Sequence, residues 1–380
     1  MDNSIAKTTQ DAADLRRSIL GFEPYMGEPD IARLTGAMRR QPVDRVPNFE
    51  VVIEDKIVEK LLGRYGGNSL AYGGDPAKGA VDESKVRPMY PRDWIEICQI
   101  IGQDSIILEA LWTPFKMSDK EGRHVPISGK PVKTKQDFER LVMPTDEDIE
   151  KKMIYVREYK QAVEGTKIGV GIVYATFVMT INEFLMDLND FMIDVYEDYG
   201  FIEYMFDVST EYWVRFSKAL VKEKIDWVYT ADDFGFKSGL FLPPKLLKEL
   251  WFTRYKKIMD PIKEAGIAVM CHSDGKIDDI VPWLIEYGVD ALNPMDPYCV
   301  DYRDYKQRFG KDIALWGNID IEFPLAKGTP EDVRKDIKEH MDVLKPGYGY
   351  ICSSSHSIVN YIPFENFVAF INAIHKYGIY

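Results

Sequence analysis

Eight short apolar runs recur along the 380-residue chain, with longer stretches of helical period between them. They are Val46–Val52, Ser105–Ala110, Ile168–Tyr174, Ile225–Thr230, Ile267–His272, Val289–Pro294, Ile313–Gly317 and Tyr348–Ser353. Most lack the apolar–polar alternation of a strand with one wet face. A strand that is apolar on both faces must be covered on both, which is the situation in a parallel sheet. Helical-period stretches such as Pro243–Ala265, Ile277–Tyr287 and Thr329–Leu344 supply the cover. Strand and helix in alternation predict an α/β chain with a parallel sheet. Eight such units suit a closed (β/α)8 TIM barrel, and an open doubly wound sheet is the runner-up. The expected organisation is one barrel domain over residues 29–380, preceded by an N-terminal arm or helical extension over residues 1–28. An amphipathic helix is expected over 29–40, closed by Pro42 and Pro47. The stretch 53–104 reads as helical with an inserted loop, punctuated by Gly66-Gly67, Gly73-Gly74 and Pro88-Met89-Tyr90-Pro91.

The net charge of −13 disfavours nucleic acid and acidic membrane surfaces as partners. No apolar run approaches the roughly 20 residues that span a bilayer. The start, Met1-Asp2-Asn3-Ser4-Ile5-Ala6-Lys7, lacks a basic region followed by an apolar stretch. Four cysteines, none in a Cys-x-x-Cys, do not form a disulfide framework. A cytoplasmic protein is expected.

In a barrel of this kind the chemistry sits at the C-terminal ends of the strands. The runs end, in order, in Glu50, then Glu109-Ala110-Leu111-Trp112, then Tyr174-Ala175-Thr176, then Asp232-Asp233-Phe234-Gly235. The remaining ends are His272-Ser273-Asp274-Gly275, Asn293-Pro294-Met295-Asp296, Gly317-Asn318-Ile319-Asp320 and Ser353-Ser354-Ser355-His356. Nearly all are polar, which a purely structural barrel does not require. Two of the five histidines, His272 and His356, fall on strand ends and make a pair across the mouth. Each residue also has a plainer use. Asp232-Asp233 can cap a helix, Asn318 and Asp320 can hold a turn, and Gly275 can be a tight-turn residue. Cys271 points away from His272 into the wall by strand alternation. Cys98, Cys299 and Cys352 read as small apolar residues. His-x-Asp with a distant His is competent as a divalent-metal site, or as a general acid oriented by Asp274 or Asp232. The spacing alone leaves both open. Tyr174, Trp112 and Phe234, at strand ends, are candidates to line an apolar pocket.

Several segments resemble the uroporphyrinogen decarboxylase superfamily. They are Gln41-Pro42-Val43-Asp44-Arg45-Val46-Pro47, Val269–Gly275, Gly288-Val289-Asp290-Ala291-Leu292-Asn293-Pro294, and Gly349-Tyr350-Ile351-Cys352 followed by His356-Ser357-Ile358, Pro363 and Glu365-Asn366. Their order along the chain, from about residue 29 onward, carries the resemblance, which itself implies a (β/α)8 barrel. It implies one of two chemistries: decarboxylation of a tetrapyrrole or another carboxylic acid, or corrinoid-dependent methyl transfer, usually with zinc. The arginine-rich Arg-Gln-Ala-Gly-Arg-Tyr segment of the decarboxylases is missing; Arg39-Arg40-Gln41-Pro42 is not that motif. The resemblance therefore favours the methyltransferase branch. The thiol-activating members use His-x-Cys and a later Cys as zinc ligands, whereas here Asp274 and His356 stand in those places. Loss of soft thiolates argues against thiol methylation. The chain is closest in kind to the methyltransferases of anaerobic O-demethylase systems. These pass a methyl group from a methoxylated aromatic to a separate corrinoid protein, so cobalamin is expected on the partner. On this reading His272, Asp274 and His356 act on the leaving oxygen and hold zinc, with Asp232 as a further catalytic residue. Glu109, Trp112, Tyr174, Phe234 and Asn318 line the substrate site. A homodimer is compatible with this reading.

Overall fold

The computed structural model describes residues 3–23, 27–69, 89–111, 116–127 and 129–380. Seven parallel strands follow one another around a curved sheet: β1 (Ser105–Leu111), β2 (Gly169–Ala175), β3 (Trp227–Ala231), β4 (Ala268–His272), β5 (Ala291–Asn293), β6 (Ala314–Ile319) and β7 (Tyr350–Ser354). Each lies within a residue or two of a predicted run. The eighth run, around 46–53, continues the circle beside β7. Phe49 N–H donates to the Cys352 carbonyl at 3.2 Å, Cys352 N–H donates to Pro47 at 2.9 Å, and Ile358 N–H donates to Val52 at 2.9 Å. Parallel bridges join Asn48 to Cys352 and Ile53 to Ile358. The fold is the expected TIM-barrel class.

The seam between this first stave and β1 is closed by a side chain. Gln103, fully buried, accepts from Glu50 N–H at 2.8 Å through Oε1 and donates through Nε2 to the carbonyls of Ser105 and Glu50. Its amide thus replaces one rung of a strand ladder, where the backbone groups would otherwise be stranded.

Large aromatic rings fill the interior. Phe49 packs edge-on against Trp227 and Trp316 at 5.1 and 5.2 Å. Trp227 Nε1 donates to Ser105 Oγ at 2.8 Å from two strands away. These contacts fix the inward register: Ser105, Ile107 and Glu109 on β1, Gly171 and Val173 on β2, Trp227 and Tyr229 on β3, Met270 and His272 on β4. Gly171 is small because any Cβ there would lie 2.3 Å from the Trp227 ring.

The Asp44-Arg45 pair of the entry segment is structural. Arg33 bonds Asp44 and the buried Asp104, and Arg45 bonds the Gly102 carbonyl at 2.8 Å. The turn leading into β1 is thereby tied to the chain that begins the first stave. The expected early helix forms over Ile31–Met38. The stretch 53–104 forms helices Asp55–Leu62 and Pro91–Ile101, and its inserted loop at 70–88 lies outside the described residues. The N-terminal extension contains the helix Asn3–Ile19, anchored by Arg16 on the Leu61 carbonyl and Arg17 on the Gln99 carbonyl. Thr329 and Asp332 form a capping box that starts the helix Pro330–Leu344. Among the described residues, no helix is long and apolar enough to cross a membrane.

Candidate active site at the barrel mouth

Three side chains converge where β3 and β4 end. Asp233, His272 and Asp274 each offer one ligand atom, and these atoms lie within 4.8 Å of one another. His272 Nε2 is 3.7 Å from Asp233 Oδ1 and 3.9 Å from Asp274 Oδ1. The turn after β4 sets this geometry. Asp274 N–H donates to Asp233 Oδ1 at 3.0 Å, and Gly275 N–H donates to Asp296 Oδ2 at 3.3 Å. Gly275 has φ of 85°, and a Cβ there would lie 2.2 Å from the Gly235 carbonyl oxygen. Both the left-handed backbone and the close approach require glycine. Burial raises the Asp274 carboxyl above its ordinary range. The imidazoles of His272 and His356 oppose that rise, and the charges of Asp233 and Asp296 reinforce it.

Behind the triad, His272 stacks on the Tyr229 ring at 5.5 Å, and its Nδ1 is 2.6 Å from Asn293 Oδ1. Asp296 also bonds the half-buried Cys299 thiol at 2.9 Å. Burial and that carboxylate push the thiol up to about 12. Cys299 is thus tied to the mouth rather than packed as a plain apolar residue. Cys271 is buried in the wall, as strand alternation requires.

His272 and Asp274 meet as expected, but other expected site residues stand elsewhere. Asp232 is out of phase with the inward residues Trp227 and Tyr229 and points outward. Its Oδ2 accepts from Trp251 Nε1 at 2.8 Å, from Phe177 N–H at 3.0 Å and from the Thr176 hydroxyl. It ties the barrel wall to the helices, and its neighbour Asp233 takes the place at the mouth. Tyr174 also faces outward: it is buried, stacked on Trp213 at 4.9 Å, with its hydroxyl 3.3 Å from Ser217 Oγ. Phe234 is fully buried against Trp251 at 4.4 Å. Asn318 is buried, donating to the Met295 carbonyl at 2.6 Å and lying 3.1 Å from His340 Nε2. Simple alternation would put Asn318 on the Trp316 side. Gly317, with φ of 134° and no room for a Cβ beside Pro294, breaks that alternation. His356 is exposed, its Nδ1 2.9 Å from Ser357 Oγ. It acts on Asp274 through charge and is not in the close triad. Glu109 is half-buried on the inward face of β1. Trp112 lies outside the described residues.

The residues that spacing missed are Asp233 and Asn293. Asp233 was findable, because it is in phase with the inward Trp227 and Tyr229.

The triad suits a divalent ion with nitrogen and oxygen preferences. Zinc takes ligands at about 2.0–2.2 Å, so tetrahedral ligand atoms sit roughly 3.4 Å apart. The 3.7 and 3.9 Å gaps need only a small closure. Among the described residues, no arginine or lysine pairs with Asp233 or Asp274.

Residues 30–377 match the family model described as uroporphyrinogen decarboxylase (URO-D). A uroporphyrinogen decarboxylase from Pseudoalteromonas translucida is 32% identical over 91 residues, 24% of this chain and 25% of that protein. One from Pseudomonas putida is 34% identical over 93 residues, with the same shares. The matches thus span about a quarter of the length of these curated relatives. Among solved structures, a methyltransferase from Methanosarcina mazei has a TM-score of 0.68 at 17% identity, covering 92% of this chain and 99% of that one. That likeness is one of fold.

Proposed function

The chain belongs to the uroporphyrinogen decarboxylase family, and from that premise we propose that it is a corrinoid-dependent methyltransferase. It takes a methyl group from a small donor, a methoxylated aromatic, and passes it to the cobalt of a separate corrinoid protein that docks over the barrel mouth. One observation carries this reading: the mouth is built from carboxylates around an imidazole, Asp233 and Asp274 about His272 Nε2. A polyanionic tetrapyrrole would meet like charge there. A neutral aryl methyl ether would not.

An aryl ether gives up its methyl group only if the oxygen left behind is stabilised as it becomes negative. His272 is placed to do this, with Nε2 directed into the mouth between the carboxylates of Asp233 and Asp274. The methyl carbon leaves the oxygen, the oxygen keeps the bonding electron pair, and the Nε2 proton neutralises it. Asp233 and Asp274 hold the imidazole's charge and the turn's shape. His356, exposed at the rim, stands on the Asp274 side. Alternatively, with no proton on Nε2, Asp233, His272 and Asp274 would hold zinc, which would supply Lewis-acid polarisation of the oxygen in place of that proton.

A second reading, decarboxylation of a tetrapyrrole or other carboxylic acid, is favoured by the names of the curated relatives. The test is to mix the protein with a partner corrinoid protein in its cob(I)alamin form and a panel of methoxyarenes. Methylcobalamin formation, followed by absorbance, is the expected result. No methyl transfer from any member, with release of carbon dioxide from a uroporphyrinogen, would replace the first reading with the second.

A further inference from the structure

Asn293 has three polar neighbours, and together they leave it one orientation. Its Nδ2 donates to the Trp316 carbonyl at 3.3 Å, an oxygen that can only accept. The amide oxygen must therefore face the other way, toward Tyr229 and His272. The Tyr229 hydroxyl donates to it at 3.2 Å. His272 Nδ1 stands 2.6 Å from the same oxygen. An amide oxygen accepts and cannot donate, so Nδ1 must carry the hydrogen. A neutral imidazole has only one N–H. Its lone pair is then on Nε2, the atom that faces Asp233 and Asp274.

We infer that Asn293, locked by the Trp316 carbonyl and the Tyr229 hydroxyl, is a positioning residue that fixes His272 as its Nδ1–H tautomer. It reserves Nε2 as the single working atom, the one that takes a proton or a metal. In the other tautomer Nε2–H would point at the mouth permanently and could bind no metal. The stack of Tyr229 on the imidazole holds the ring plane while Asn293 holds the proton. This inference rests on the reading of His272 as the working group.

The test uses the full chain labelled with 15N-histidine. There are only five histidines, and His272→Gln identifies the signal of interest. Long-range 1H–15N correlation separates a protonated, pyrrole-type nitrogen from a pyridine-type one. Pyrrole-type Nδ1 is expected in the wild type and in Asn293→Asp, which keeps the acceptor. Asn293→Ala is expected to lose it and move the proton to Nε2, wholly or in part. A pyridine-type Nδ1 in the wild type would overturn the inference with no variant needed, so a misfolded alanine variant cannot shelter it. An unchanged pattern in folded Asn293→Ala would overturn it too. Absence of methyl transfer by a wild-type protein with the expected pattern would sink the proposed function and leave this inference standing.

Discussion

Glu50 is a buried carboxylic acid whose protonation can be tested through stability. It shares the outward face of the first stave with Asn48, whose side chain reaches the Ile101 carbonyl in the helix layer. Its Oε1 accepts from Ser354 N–H at 2.7 Å, and its Oε2 lies 2.6 Å from Ser354 Oγ. Among the described residues no cation pairs with it; burial raises the carboxyl from 4.5 to about 8, against the two Ser354 bonds. The folded protein therefore keeps a proton that the unfolded chain releases above pH 4.5. Between 4.5 and 8 the folded state binds one more proton than the unfolded state, so stability falls as pH rises. The slope is about 1.4 kcal/mol per pH unit, and the loss levels off above pH 8. Glu50→Gln mimics the protonated acid: the amide oxygen accepts Ser354 N–H and the NH2 donates to Ser354 Oγ. It has no proton to lose. The variant should match the wild type near pH 4.5 and gain on it by about 3 kcal/mol over the 2.5 units from pH 5 to 7.5. Unfolding entropy of about 2.1 cal/mol/K per residue makes this a relative rise in Tm of about 4 °C. Scanning calorimetry of both proteins at pH 5 and 7.5 measures it. A Tm difference that is the same at both values, or a variant less stable at 7.5, would refute the assignment of Glu50 as a buried neutral acid.

Asp232→Ala and Asp233→Ala should behave as opposites. The first strands three buried donors and should cost roughly 3–5 kcal/mol of stability; the second should keep its Tm and lose turnover, and equal Tm losses in both would reverse the assignment. The purified protein should carry about one zinc per chain by elemental analysis. Asp274→Ala should lose most of it and His356→Ala should retain it, so full zinc in Asp274→Ala would place the ion elsewhere. His272→Ala should abolish turnover while circular dichroism stays native, and wild-type-like turnover would remove His272 from the chemistry. Gly275→Ala should lower both Tm and kcat, because its Cβ would collide with the Gly235 backbone; an unchanged Tm would mean the turn is looser than its geometry.

The barrel was legible because both faces of its strands are buried. A covered strand must be apolar throughout, so Trp227–Ala231 and Ala268–His272 stand out in the sequence as unbroken runs. The first stave reads as a run for the same reason, although its partner on one side is the side chain of Gln103 and not a strand. That substitution has no periodic signature. One buried glutamine looks like any other polar residue at the end of a helix.

The site was less legible because apolar runs reveal strands without revealing which face is inward. In an alternating strand the polar residues mark the outside; in a run such as Trp-Val-Tyr-Thr-Ala nothing does. Phase then has to come from volume. Gly171 opposite Trp227 shows which residues share the crowded interior, and once Trp227 is inside, Tyr229 and Asp233 follow it and Asp232 and Tyr174 do not. The same step puts His272 inside and Cys271 in the wall. It fails at Asn318, because Gly317 turns the chain out of phase. Asn293 needs a further step: its place at a strand end is visible in sequence, but its role depends on a carbonyl from β6 and a hydroxyl from β3 meeting it on either side. A residue that acts by fixing its neighbour's proton is defined by three strands at once, and only the closed barrel brings them together.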